Sequence, residues 1–406
     1  MFSRRLKRGL LVVEGLNATS TTLYLFYVYF YMQQVFGFGN KANLTLAALN
    51  GLTYACTAWY GGYFAQRHGY FNSLKVGFGL MAAAYMTGWI GHTIPVHIGA
   101  MMTVVVGMSF TWPALEAMVC EGESRAGVQH MLGVYNVVWA ATGAVAYFLG
   151  GAMLENLGLR SLFYMPLCIV SLQFGLALWL ERQARLEPGS GSHQMTPGHA
   201  PAEGALAGDR PARAAVFIRM AWLANPFGYI ASNTLLAVIP GIAITLGLST
   251  MVADFVGSTW CFARLGSFWL LWMWPGWHYR FRWLLTSYAG LIVSFALVLT
   301  IPHVLVLVLA QLVLGGAIGH LYYSSLFYSM DSSETKGEHG GIHEMAIGFG
   351  SFAGPAVGAA SLHFLPQVTH GATYAVSLLL LCGLAGMTVI WRQGRPKAGR
   401  PVISRQ

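Results

Sequence analysis

Charge is what this chain has least of: only 9% of its 406 residues are Asp, Glu, Lys or Arg. A soluble globular chain carries roughly a quarter, so most of this surface does not face water. That excludes an ordinary aqueous fold, and a hydrophobic content of 56% makes the bilayer the solvent. Cysteine is scarce as well. Cys56, Cys120, Cys168, Cys261 and Cys382 fall within or at the edge of apolar stretches at no metal-ligand spacing, which argues against a disulfide framework or a cysteine metal site. There is no Walker-type nucleotide loop, and no cofactor is expected.

Long apolar runs are abundant. Stretches of the ~20 residues needed to cross a ~30 Å hydrocarbon core recur twelve times, at 10–34, 42–65, 73–93, 96–119, 130–154, 161–181, 215–246, 250–273, 283–301, 303–329, 341–364 and 371–391. Runs this long read as helices, because a barrel shows ~10-residue alternating segments instead. The N-terminal MFSRRLKRGLLVVEG starts like a signal peptide, but its apolar run is too long and lacks a clear small-residue cleavage site, so it reads as an uncleaved first helix.

The net charge of +9 raises the question of nucleic acid, and the position of the basic residues answers it. With twelve spans both termini share one side, and that side holds twenty of the twenty-three Lys and Arg; the other holds Lys41 and Arg160, and Arg264 lies within a span. The positive-inside rule then expects a multi-pass protein of the cytoplasmic or plasma membrane with both termini in the cytoplasm. The basicity is topological, and no nucleic-acid partner is expected.

Residues 183–214 are rich in Pro, Gly, Ala and Ser without hydrophobic periodicity and read as a cytoplasmic linker. They divide the chain into a six-helix bundle at 1–182, a second at 215–392 and a cytoplasmic tail at 393–406. An offset of 208 residues superposes Asn17 on Asn225, Gly107 on Gly315, Glu123 on Asp331, Gly133 on Gly341 and Gly150 on Gly358, at the same depth of same-numbered helices. That is the pattern of a parallel repeat.

Six plus six helices around a long loop resemble the major facilitator superfamily, and the resemblance covers essentially the whole chain. The family's signature between helices 2 and 3 is Gly-x-x-x-Asp-Arg-x-Gly; here the sequence reads Gly62-Tyr63-Phe64-Ala65-Gln66-Arg67-His68-Gly69, with Lys75 beyond. Gln66 replaces the acidic member, which in the family helps latch the halves on the cytoplasmic side. Trp274 to Arg282 keep only a turn and basic residues. Helix 4 lacks the intramembrane Arg of proton-coupled exporters, and helix 5 ends in Gly150-Gly151 without the drug-antiporter Gly-Pro, which disfavours a multidrug-type exporter. The resemblance implies an all-α, two-bundle secondary transporter, monomeric and not an enzyme. It would carry a small solute by alternating access, with a proton or sodium ion as the coupling partner; that the solute is polar or anionic is expected from Arg264, deep in helix 8. The alternatives are a receptor or regulator that keeps the fold without turnover, and an intramembrane enzyme; the first lacks an appended domain, the second a carboxylate pair or metal cluster at depth.

An ionisable group inside the bilayer is a functional candidate by default. Arg264 is the sharpest, because it lies about fourteen residues into helix 8, near the midplane at 1.5 Å per residue and beyond snorkelling reach. It is expected to bind the substrate. Tyr24 and Tyr27, on one helical face of YLFYVYFYMQQ, are expected to line the cavity with Asn17, Asn136, Asn225, Asn233, His320 and Tyr323. Glu14, Glu116, His343 and Glu344 sit near the cytoplasmic helix ends and are expected to couple or gate, together with Gly62, Gln66, Arg67 and Gly69. His339 and His343 share a face at i and i+4, but the second zincin His is missing, so no metal is expected.

Overall fold

The computed structural model describes residues 2–186, 210–332 and 336–394, side chains excepted at a few helix ends. The described chain is helical: α1 (Arg4–Leu25), α2 (Val28–Phe36), α3 (Asn40–His68), α4 (Tyr70–Ile90), α5 (Ile94–Cys120), α6 (Arg125–Leu157), α7 (Ser161–Leu186), α8 (Arg210–Thr245), α9 (Thr250–Gly257), α10 (Thr259–Met273), α11 (Phe281–Thr300), α12 (Val304–Ser332), α13 (Lys336–Phe364) and α14 (Gly371–Gln393). Eight of them are apolar and long enough to cross a membrane by length and composition alone. The remaining segments fall short because the helices are too short, as α2, α9 and α10 are, or carry polar and charged side chains, as α1, α3 and α4 do.

Helix boundaries follow local chemistry. Ser3, Ser124 and Ser249 cap α1, α6 and α9, each hydroxyl accepting from a backbone amide three residues on, at 3.2, 3.2 and 3.3 Å. Gly69, with φ +94°, makes the one-residue corner between α3 and α4, a conformation that a residue with a Cβ adopts only under strain. The corner glycine of the loop signature therefore has a backbone reason.

Two expectations need correction. The first and eighth spans are not continuous: the first breaks at Phe26–Tyr27 and the eighth at Ser258. No Pro or Gly marks the first break. It is made by tertiary packing, with Phe26 set edge-on to Tyr147 at 4.8 Å and stacked on Trp260 at 6.2 Å, while the Tyr27 hydroxyl donates to the Tyr147 carbonyl. The expected linker is also shorter at both ends, because α7 runs to Leu186 and α8 starts at Arg210. The rest of it lies outside the described residues, as does the tail beyond Gly394.

In the first half α1 packs on α5, α6 and α7, and α4 on α5 and α7; in the second, α8 packs on α12, α13 and α14, and α10 and α11 on α12. The halves meet along two seams. One is α3 against α13, the other α6 against α9 and α10. A methyl group at Gly51 of α3 would collide with the backbone of Ser351 and Phe352 of α13, and one at Gly348 would collide with Ala55. Glycine is required there because the two backbones touch.

Candidate functional site

Between the seams lies a central cavity of about 120 Å³, walled by α1, α3, α5 and α6 of the first half and α8, α10 and α13 of the second. Arg264 is the one charged residue among its described lining. Its guanidinium stands 4.3 Å from the Trp139 ring centre and 5.0 Å from that of Trp260, within cation–π range of both. Trp260 is four residues away on the same helix, Trp139 is on α6 across the seam, and Arg264 is only 7% exposed. No carboxylate among the described residues is within ion-pair distance of Arg264, and its Nε has no hydrogen-bond acceptor among them. Asp254, on the same segment, turns instead toward Gly151 of α6.

Of the other residues expected to line the cavity, Asn233 does so. Its amide nitrogen donates to the Tyr229 carbonyl at 3.1 Å and to Ser351 Oγ at 3.1 Å. The remaining seven are elsewhere. Tyr24 is fully buried against Tyr85 and Phe163 within the first half, and Tyr27 is spent on α6. Asn17 donates to Thr111 at 3.4 Å, and Asn225 is buried away from the lining. Asn136 accepts from the Tyr322 hydroxyl at 3.3 Å, which joins α6 to α12 across the seam. His320 and Tyr323 pack on Trp277. The aromatic face of the first span therefore serves packing: helical spacing gives a shared face, and α1 turns Thr21, Thr22 and Leu25, not Tyr24, to the cavity.

Glu14, Glu116 and Glu344, from α1, α5 and α13, come close enough to act on one another electrostatically. Glu14 is wholly buried with Tyr135 beside it; Glu344 is 7% exposed and accepts from the Tyr54 hydroxyl at 2.5 Å. Tyr54 also lines the cavity, so one side chain touches both the binding space and a carboxyl of the other half. His343 packs on Tyr322 at 5.3 Å, and His339 lies outside the described side chains. In the loop signature Gln66 is half-buried, Arg67 donates to Tyr63 at 3.2 Å, and Gly62 leaves open space beside Pro113.

Sequence reasoning missed Phe26, Tyr54, Trp112, Trp139, Tyr229 and Trp260, the aromatic wall. An aromatic residue in an apolar helix reads the same whether it faces lipid, core or cavity. Only the four-residue spacing of Trp260 and Arg264 was a usable signal.

Two six-helix halves around a seam-lined central cavity define the architecture of a secondary transporter, not of an enzyme. The chain belongs to the Major Facilitator Superfamily, whose family model matches residues 10–355. Its fold is similar to two crystal structures of the nucleoside transporter NupG: one, of a point mutant, aligns with a TM-score of 0.68, and the other with 0.66. Each is 13% identical, with 96% of this chain and 98% of that chain covered. A search of curated proteins gives no match.

Proposed function

We propose that this chain carries a small polar or anionic solute across the cytoplasmic membrane by alternating access, with the central cavity as binding site and Arg264 as anchor. The observation that carries this is a buried guanidinium, without a counter-charge among the described residues, at a place where both halves line a cavity. A buried cation must be offset by a partner, and a ligand that brings negative charge supplies it. A nucleoside, the kind of solute for which NupG is named, is neutral at physiological pH and leaves Arg264 unmatched, so an anion is favoured here.

Three carboxyls that act on one another, of which Glu344 is joined to the binding space through Tyr54, support coupling to a proton or sodium ion. The distribution of Lys and Arg supports cytoplasmic termini, with the two bundles at 1–182 and 215–392 rocking about the seams.

A thermal-shift ligand screen followed by proteoliposome uptake tests the anchor. Arg264→Lys keeps the charge and loses the planar fork; Arg264→Ala loses both. A charged hydrogen bond contributes about 1.5–3 kcal/mol, so apparent affinity should fall roughly 10- to 150-fold in the Ala variant and less in Lys. A folded, inserted Arg264→Ala protein with unchanged apparent affinity would sink the proposal.

A further inference from the structure

The walls of the cavity say more about the ligand than its charge does. Six of its twenty lining residues are aromatic, so a molecule held there meets ring surfaces on several sides. They include Trp139 and Trp260, which carry Arg264, and Trp112, which stands edge-on to Tyr54 at 6.1 Å. Phe26 continues the stack beyond Trp260 at an interplanar angle of 17°.

The polar groups on the same walls are unbalanced in one direction. Arg264 Nε, Trp112 Nε1 and Trp260 Nε1 are buried N–H donors with no acceptor among the described residues. Against them stands one buried acceptor of the lining, Asn50 Oδ1, whose side chain lies beside the Tyr29 hydroxyl. The hydroxyls of Thr21 and Ser351 donate back to carbonyls of their own helices, at 2.7 and 2.9 Å, and the Asn233 amide is occupied twice. Arg264, the one charged residue of the described lining, favours a ligand that brings acceptors to it. Buried donors left unmatched are costly, so the site discriminates against molecules that cannot satisfy them. A polyol would bring many donors of its own and meet ring faces where it needs acceptors.

From these observations we infer that the substrate is a planar ring acid, an aromatic or heteroaromatic carboxylate, with its carboxylate on Arg264 and its ring against the aromatic wall. This inference rests on the proposed role of the cavity as an anion site and adds the shape of the anion. A carboxylate is flat and offers two acceptors to the guanidinium fork. A flat ring meets neighbouring rings edge-to-face or offset, where a puckered ring of the same size cannot.

The test uses the purified full-length protein and five probes: benzoate, nicotinate, cyclohexanecarboxylate, glucuronate and benzamide. Thermal shift and quenching of tryptophan fluorescence give their relative affinities. Benzoate or nicotinate should bind at about tenfold lower concentration than cyclohexanecarboxylate or glucuronate, and benzamide, which lacks the charge, should bind weakly. Trp139→Phe keeps an aromatic ring in the wall and should retain the preference for the planar acids; Trp139→Leu should erode that preference. Equal or tighter binding of cyclohexanecarboxylate or glucuronate would overturn the ring assignment and leave the anion site standing. Benzamide binding as well as benzoate would overturn both, and so would the absence of binding by any of the acids.

Discussion

At the scale of single residues, the helix-end ion pairs are easier to interpret than the buried groups. Lys7 of α1 donates to Glu123 at 2.6 Å and to the Glu121 carbonyl at 2.8 Å, tying α1 to the turn between α5 and α6. The Lys7 hydrogen bond, and then its charge, hold the Glu123 carboxyl below its ordinary value. A depressed carboxylate stabilises the fold above its unfolded pKa of about 4.3, and that contribution is lost as the pH falls through the folded value. Glu123→Gln should therefore lower the thermal midpoint at pH 7, and the gap to the parent should close as the pH is lowered through the carboxyl range. A gap that persists unchanged in acid would mean that the pair acts through packing alone. Arg264 was legible as a cavity residue at this scale because a lone charge deep in an apolar run is costly and stands out. The place of Tyr24 was not, because the same helical spacing serves a cavity face and a packed face, and only the fold separates them.

At the scale of elements, the α3/α13 seam depends on glycine. Gly51 lets the two backbones touch, whereas Gly79 of α4 faces open space. Overpacking typically costs about 1–3 kcal/mol, so Gly51→Ala should reduce the thermal midpoint and loosen the seam, while Gly79→Ala should be near neutral. Equal effects from the two would remove the seam argument. The twelve spans themselves were visible as apolar runs, with ends close to those observed. The breaks were not: the one at Phe26–Tyr27 carries no Pro or Gly and comes with long-range packing of aromatic residues, and the single Gly257 before Ser258 is one of many glycines inside the spans.

At the scale of the whole molecule, the halves are joined by polar contacts on the face opposite the termini. Lys41 Nζ meets His363 Nδ1 at 2.9 Å, Gln34 donates to Thr250 at 3.0 Å, and the Met251 amide donates to Glu155 at 2.8 Å. Alternating access requires these to separate. In a Cys-free background, Lys41→Cys with His363→Cys should react in intact cells with an impermeant, reducible bifunctional thiol reagent. Uptake should stop and recover on reduction. Full uptake with the cross-link in place would exclude rocking, and reaction with a permeant reagent only would reverse the assigned orientation. The repeat was legible at this scale from paired Asn and Gly positions. The cavity was not, because which residues face inward depends on how the two halves are rotated.

Those three contacts are all exposed, while the bond from Tyr54 to Glu344 is buried. Water can take over an exposed hydrogen bond at little net loss, so under the proposed alternating access these three contacts separate by hydration, much as a surface loop lifts. The inner bond has no such replacement at hand. If the halves rock as proposed, the two sets of contacts answer to different quantities: the exposed ones to the activity of water, which osmolytes lower, and the buried one to what occupies the cavity beside Tyr54.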